Sequence, residues 1–165
     1  EDCLKLMALY QPVANDLRFI VSALKMSNDL ERIGDFATRI ARKGKVLVEF
    51  PNVSLPGDFQ DMTDVVCTLF QKSVDSLVGL DPKLAYEVIA MDQRVDQYNR
   101  DISTEMVDRV RSGQAPLEAA LPVLWIARSL ERIGDHAGNI AEDVIYLAEG
   151  EIVRHKVQSG TGKGT

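Results

Sequence analysis

Three pairs of carboxylates, each with a spacing of four residues, are the feature of this sequence that could do chemistry. They are Glu31 with Asp35, Asp92 with Asp96, and Glu131 with Asp135. On a helix, residues four apart project from the same face, so each pair places two like charges one turn apart. Such a pair costs an isolated helix roughly 0.2–0.5 kcal/mol. A multivalent cation would offset this repulsion, because hard metal ions bind carboxylate oxygens.

A solvated acidic surface is the alternative interpretation of these pairs. In that case each carboxylate would pair with a basic side chain on a nearby turn, and the candidates are Arg32, Arg39, Arg128 and Arg132. Exposed charges are the ordinary case at a protein surface. The sequence by itself leaves both interpretations open.

Two of the carboxylate pairs lie in an internal repeat. The hexapeptide Leu-Glu-Arg-Ile-Gly-Asp occurs at 30–35 and again at 130–135, and ten of eighteen positions are identical between 24–41 and 124–141. So long a period indicates a duplicated bundle and not a solenoid, whose repeats are much shorter. A glycine within a helix costs about 1 kcal/mol relative to alanine. The glycine of each hexapeptide therefore predicts a close approach of another helix, unless it is neutral drift.

The helices that carry these residues are predicted from the spacing of the apolar side chains. Apolar side chains recur every three or four residues in five segments, which predicts helices at 1–10, 13–47, 58–80, 82–111 and 116–148. Asp81 and Pro82 form a helix start, and Gly79 and Gly150 are predicted helix ends. Trp125 and the methionines fall at apolar helical positions, which predicts that they lie in the core. No convincing strand appears, so the predicted class is all-α.

The predicted architecture is a pair of tandem three-helix bundles, the first incomplete at its N-terminus. Its parts are a remnant of the first bundle at 1–50 (the end of its second helix plus its long third helix), a linker at 51–57, a second bundle at 58–150 and a flexible tail at 151–165. A shift by the repeat period places 1–10 on 101–110, so we expect further helices upstream. An incomplete bundle would expose Leu17, Leu24 and Ile33, which predicts a homo-oligomer formed through these residues.

The repeat also predicts how the carboxylates are grouped. If the helices at 82–111 and 116–148 pack side by side, four of the six converge on one site, namely Asp92, Asp96, Glu131 and Asp135. Asn99 and Asn139 follow on the same helices and are predicted as outer ligands or hydrogen-bond partners. The partners of Glu31 and Asp35 would lie upstream of the chain, so the first site should be open on one side. His136 is not assigned as a ligand, because its counterpart in the first repeat is Phe36.

Composition excludes several classes of function. The net charge of −6 and the pI near 4.9 argue against nucleic acid or an anionic membrane as the main partner, because both require a concentration of Lys and Arg. No apolar run is long enough to span a membrane, which excludes direct membrane insertion. The two cysteines, Cys3 and Cys67, show no disulfide pattern, which predicts a cytoplasmic protein. The sequence contains no Glu-x-x-His, His-Glu-x-x-His or nucleophile-elbow motif, so an enzyme is disfavoured.

Three motifs resemble the PhoU family of bacterial phosphate-signalling proteins. They are the paired hexapeptides, the stretch Asp-Gln-Arg-Val-Asp at 92–96, and Gln-Pro-Val-Ala-Asn-Asp-Leu-Arg at 11–18. The resemblance implies two similar three-helix bundles whose acidic motifs bind clusters of metal ions, iron first, with manganese, zinc, nickel or magnesium as alternatives. Carried over by motif, the implied ligands are Glu31 and Asp35 at one site, and Asp92, Asp96, Glu131 and Asp135 at the other.

The same resemblance implies a function without catalysis. Members of the family are regulators that connect a phosphate ABC transporter, through its ATPase, to a sensor histidine kinase, and they repress the phosphate-starvation response when phosphate is plentiful. The expected function is therefore that of a metal-binding adaptor. The alternative is a helical scaffold that binds its partners without any metal.

Overall fold

The computed structural model describes residues 2–150 as five helices joined by short connections. In chain order they are α1 (Asp2–Tyr10), α2 (Ala14–Leu47), α3 (Asp58–Gly79), α4 (Pro82–Arg111) and α5 (Leu117–Glu149). The described residues contain no strand, which confirms the all-α prediction. Every predicted helix end lies within one residue of its position in the structure. The predicted tail at 151–165 lies outside the described residues.

Local chemistry explains why the chain turns between α3 and α4. Asp81 caps α4, since its side chain accepts hydrogen bonds from the backbone N–H groups of Lys83 (2.9 Å) and Leu84 (3.3 Å). The left-handed residue after α3 is Leu80, with φ +45°, and not Gly79, which stays helical. At the end of α5, Gly150 has φ +72° and terminates the helix as predicted.

Helices α3, α4 and α5 pack on one another as a three-helix bundle, and α2 packs along the outer side of α5. Among the described helices, α2 contacts only α5 and α1, and does not reach α3 or α4. The bundle core consists of fully buried apolar side chains, including Met62, Leu69, Val88, Val95, Ile102, Met106, Ile140 and Val144. Helix α5 therefore lies at the centre of the fold, and the division into two domains at 51–57 stays a prediction.

The two hexapeptides meet where α2 and α5 cross in antiparallel directions. Lys25 lies 3.6 Å from Asp143, and further along α2 the Lys43 ammonium lies 5.8 Å from the centroid of the Trp125 ring. Ile33 lies between these two contacts, and it is buried because α5 covers this side of α2. The prediction that Ile33 is exposed is therefore wrong.

The other predictions of exposure and burial are confirmed in part. Leu17 is exposed as predicted, whereas Leu24 is half-buried. Trp125 was expected in the core, but 54% of its surface is exposed, because no described helix covers that face of α5. Met26, Met62 and Met106 are buried as expected, whereas Met7 and Met91 are half-buried. No helix among residues 2–150 is both long and apolar enough to cross a membrane.

Candidate metal centre between α4 and α5

An open polar groove of about 390 Å³ runs between α4 and α5. Its lining consists of Ile89, Asp92, Arg132, Asp135, His136, Gly138, Asn139 and Glu142. The helical spacing of three and four residues brings Asp135, Asn139 and Glu142 to one face of α5. Asp92 faces them from α4. The groove thus joins one carboxylate from each of two predicted pairs.

Gly134 allows the two helices to approach closely at this groove. A Cβ atom built on Gly134 would lie 3.2 Å from Asp92 Oδ1 and 3.5 Å from Val95 Cγ1. A side chain at this position would therefore press on the carboxylate that faces α5. The close approach predicted from the glycine of the second hexapeptide is confirmed.

Gly34, the equivalent glycine of the first hexapeptide, lies in open surroundings. A Cβ atom built there would meet nothing within 4 Å. Helix α5 contacts α2 and buries the neighbouring Ile33, but it leaves Gly34 exposed. The prediction of a close approach is therefore wrong for Gly34 among the residues that the structure describes.

The electrostatics of the groove show that carboxylates crowd around Asp92. Burial, and after it the negative charges of four neighbours, together raise the pKa of Asp92 from 3.8 to about 6. In decreasing order of effect these neighbours are Asp135, Asp96, Glu131 and Glu142. Three of the four are predicted ligands. The structure thus brings Asp92, Asp96, Glu131 and Asp135 into one electrostatic neighbourhood.

Arginine and asparagine side chains contact the two carboxylates of the second hexapeptide. Glu131 forms an ion pair with Arg128 and accepts a hydrogen bond from Asn99 Nδ2 at 3.1 Å. Asp135 accepts one from Arg132 Nη1 at 3.0 Å. Asn99 is therefore a hydrogen-bond partner, as predicted. These arginine contacts are also those expected of a solvated acidic surface.

The carboxylates of α4 and α5 are suitable ligands for a hard cation, although their side chains are not arranged around a single point. Carboxylate oxygens suit iron, manganese and magnesium, and four carboxylates act on the half-buried Asp92 and raise its pKa in addition to the effect of burial. Within residues 2–150, no group of three or more His, Cys, Asp or Glu side chains is placed so that it could hold a metal ion. Glu131 and Asp135 would have to turn from their arginines toward Asp92. The assignment of the six ligands stays a prediction.

Glu31 and Asp35 are not brought to this groove. Both are exposed on α2, and Asp35 lies 4.0 Å from the guanidinium of Arg32. Neither lines the groove or is among the charges that act on Asp92. The two identical hexapeptides therefore carry their carboxylates into different surroundings.

Two features of the site were not found from the sequence. Glu142 lines the groove, and its spacing of seven residues from Asp135 was the available signal. The other feature is a polar contact between the repeats, in which His136 Nδ1 lies 2.7 Å from Asp29 Oδ1 and Asn139 Nδ2 donates to the same oxygen at 3.4 Å. Comparison of the repeats gave no signal for it, because Ser129 occupies the position equivalent to Asp29.

The raised pKa of Asp92 predicts that its ionisation destabilises the metal-free protein. Between pH 3.8 and about 6 the folded state binds more protons than the unfolded state, so stability falls as the pH rises through this window. The full shift corresponds to about 3 kcal/mol, which solvent screening of this half-buried group reduces to about 1–2 kcal/mol. We expect Asp92→Asn to raise the free energy of unfolding by that amount at pH 8 and to have little effect at pH 4.

Urea unfolding of chelator-treated protein, followed by circular dichroism, measures this difference. Asp61→Asn is the matched control, because Asp61 is an exposed carboxylate of α3. Asp61→Asn should not raise the free energy of unfolding at pH 8. An Asp92→Asn variant that is equally or less stable than the parent at pH 8 would contradict the electrostatic account of the groove.

The geometry defines a class of protein, namely an all-α protein in which two copies of one acidic helix motif pack on each other and one copy faces a carboxylate-lined groove. The model of the PhoU domain family matches residues 1–44 and 59–144. The chain belongs to the PhoU domain family.

Known proteins agree with this assignment. The chain is 40% identical over 157 residues to the phosphate-specific transport system accessory protein PhoU homolog of Pseudomonas putida, covering 94% of this chain and 61% of that protein. The crystal structure of PhoU from Pseudomonas aeruginosa superposes with a TM-score of 0.85 at 37% identity, covering 90% of this chain and 72% of that one. For the phosphate transport system regulatory protein PhoU from Streptococcus pneumoniae the TM-score is 0.82 at 28% identity, with 92% and 71% covered.

The comparisons also bear on catalytic activity and on the length of the chain. The relatives are named as accessory or regulatory proteins, so the expectation of a non-enzymatic family is confirmed. The chain spans about three-fifths of the length of its Pseudomonas putida relative.

Proposed function

We propose that this chain acts in the cytoplasm as a metal-binding, non-enzymatic regulator of phosphate uptake and phosphate-starvation signalling. In this role it is an adaptor between a phosphate ABC transporter and a sensor histidine kinase. Membership of the PhoU domain family supports the regulatory role, together with relatives named as accessory proteins of phosphate-specific transport. One observation supports metal binding above all: Asp92 is half-buried in the groove between α4 and α5, and its burial together with the charges of four neighbouring carboxylates raises its pKa to about 6.

The groove residues would hold the metal as oxygen ligands. Asp92 and Asp96 would contribute from α4, and Glu131 and Asp135 from α5, while Glu31 and Asp35 would serve a separate site on α2. Iron is the first candidate, followed by manganese, zinc, nickel and magnesium. The cation would neutralise the charge around Asp92 and link α4 to α5. It would therefore stabilise the surface that partners recognise, without performing any reaction.

A scaffold without metal is the second candidate function. The ion pairs of Arg128 with Glu131 and of Arg132 with Asp135 favour it, because they already offset part of the negative charge. Under this alternative the carboxylates provide surface charge only. Partner binding would then be independent of any metal.

Calorimetric titration with Mn²⁺ separates these two functions. We expect the parent to bind Mn²⁺ with heat that saturates, and the variant Asp92→Asn with Asp135→Asn to show none. The matched control is Asp61→Asn with Asp64→Asn, which removes two exposed carboxylates of α3 and should leave the titration unchanged. Equal loss of binding in both double variants would mean diffuse charge attraction, and no binding by the parent would favour the scaffold.

The adaptor role is tested by binding to purified partners. We expect the chain to bind the transporter ATPase and the cytoplasmic part of the histidine kinase when each is immobilised on a sensor surface. An unrelated acidic helical protein is the control for charge. Absence of binding to both partners, with and without Mn²⁺, would contradict the adaptor role. It would not affect the proposed metal site, which the Mn²⁺ titration tests separately.

A further inference from the structure

The His136 ring is held between the two repeats at the edge of the groove between α4 and α5. Its Nδ1 atom lies 2.7 Å from Oδ1 of Asp29, which is contributed by α2. The ring of Phe36, also from α2, has its centroid 5.8 Å from that of the His136 ring. The side chains of Asp29 and His136 are only 13% and 23% exposed. Two contacts from α2 therefore fix the orientation of this imidazole.

The contact with Asp29 decides which nitrogen of His136 can bind a ligand. A carboxylate only accepts hydrogen bonds, so Nδ1 of His136 carries the proton and donates. The other nitrogen, Nε2, then keeps its lone pair. Among residues 2–150, Nε2 forms no hydrogen bond. This is the arrangement of metal-binding histidines, in which one ring nitrogen donates to a carboxylate and the other binds the metal.

The His136 side chain lines the same groove as two of the carboxylates that are predicted to bind metal, Asp92 and Asp135. Asp135 accepts a hydrogen bond from Arg132 at 3.0 Å, so it would have to leave this arginine before it could bind a cation. Nε2 of His136 would not have to leave a partner. The ring is thus a ligand whose position is already fixed at the edge of the groove.

We propose that Nε2 of His136 is a ligand of the metal that binds in this groove, and that Asp29 is the residue that positions it. The inference rests on the proposed metal binding and deepens it, because a nitrogen ligand changes which cations are preferred. Imidazole suits nickel, zinc and iron, whereas carboxylates alone suit manganese and magnesium. Asp29 also connects the metal to α2, so occupancy of the groove strengthens the contact between the repeats.

Pulsed electron paramagnetic resonance of the Mn²⁺-loaded protein tests the nitrogen ligand directly. A nitrogen bound to Mn²⁺ modulates the electron spin echo, and ¹⁵N-labelled histidine assigns the modulation to imidazole. We expect this modulation in the parent and in His155→Gln, which removes the other histidine of the chain. His136→Gln should bind Mn²⁺ without it. Circular dichroism checks that each variant folds, and the spectrum of the labelled parent does not depend on any variant.

Calorimetric titration with Ni²⁺ and with Mn²⁺ tests the positioning role of Asp29. We expect His136→Gln to lower the Ni²⁺ affinity by about 10–100-fold and Asp29→Asn by about tenfold, with smaller losses for Mn²⁺. The ratio of the Ni²⁺ affinity to the Mn²⁺ affinity should therefore fall in both variants. Lys25→Gln is the matched control, because it removes another contact between α2 and α5, that of Lys25 with Asp143 at 3.6 Å. It should leave the ratio unchanged.

Three results would overturn the inference. Bound Mn²⁺ without nitrogen modulation in the parent would mean that all protein ligands are oxygens, and the proposed metal binding would then stand without His136. An equal fall of the affinity ratio in Lys25→Gln and Asp29→Asn would reduce the contact of Asp29 with His136 to a structural link between the repeats. A parent that binds no Mn²⁺ and no Ni²⁺ would contradict the proposed metal binding itself, and this inference with it.

Discussion

Gly134→Leu is expected to lower the free energy of unfolding by about 1–3 kcal/mol, the usual cost of overpacking a close helix contact. The physical reason is the space beside Gly134, where even a Cβ atom would lie 3.2 Å from Asp92 Oδ1 and 3.5 Å from Val95 Cγ1. The larger side chain must push α4 away from α5. Urea unfolding followed by circular dichroism measures the change, and the predicted metal affinity should fall with it.

The matched control for Gly134→Leu is provided by the repeat itself. Gly34 occupies the same position of an identical hexapeptide, and a Cβ atom there meets nothing within 4 Å. Gly34→Leu should therefore gain only the better helix propensity of leucine, worth about 0.5–1 kcal/mol in favour of the folded state. Equal destabilisation by both substitutions would contradict the packing described for α4 and α5.

Leu130→Ala is expected to cost about 2–4 kcal/mol of stability, as is usual for the removal of a buried leucine. Leu130 is 6% exposed and belongs to the core cluster of the bundle. Leu30, at the equivalent position of the first hexapeptide, is 38% exposed. Leu30→Ala should therefore cost less than about 1 kcal/mol.

Differential scanning calorimetry at neutral pH compares the two leucine variants directly. The midpoint temperature of unfolding should fall several times as much in the Leu130→Ala variant as in the Leu30→Ala variant. Similar midpoints for the two variants would mean that the first hexapeptide is as deeply packed as the second. That result would contradict the position of α2 along the outer side of α5.

The helices could be predicted from the sequence because their signals are local. Asp81 with Pro82 marks the start of α4, and the three-four spacing of apolar residues continues without interruption to Arg111. The convergence of Asp92 with Asp135 was also predictable, on the condition that the helices at 82–111 and 116–148 pack side by side. Gly134 gave an independent signal for the same contact.

The surroundings of the first hexapeptide could not be predicted from the repeat. Identical residues imply identical helices but not identical neighbours, and α5 covers only one side of α2. Ile33 is buried as a result, whereas Gly34 next to it is exposed. The contact of Asp29 with His136 was missed for the same reason: it joins the two repeats and occurs once.

The exposure of Trp125 was mispredicted because periodicity identifies an apolar face without showing what covers it. An interface between copies and a core seam follow the same spacing of three and four residues. Only the packing of the described helices shows that this face of α5 is uncovered.

The most direct test of the proposed metal centre is elemental analysis of protein purified without a chelator or a metal-affinity column. The variant Asp92→Asn with Asp135→Asn is purified and measured in parallel. The account predicts about one metal ion or more per chain in the parent, and none in the variant. No metal in either protein, even after incubation with iron, manganese and zinc, would contradict it and make the carboxylates of α4 and α5 a solvated acidic surface.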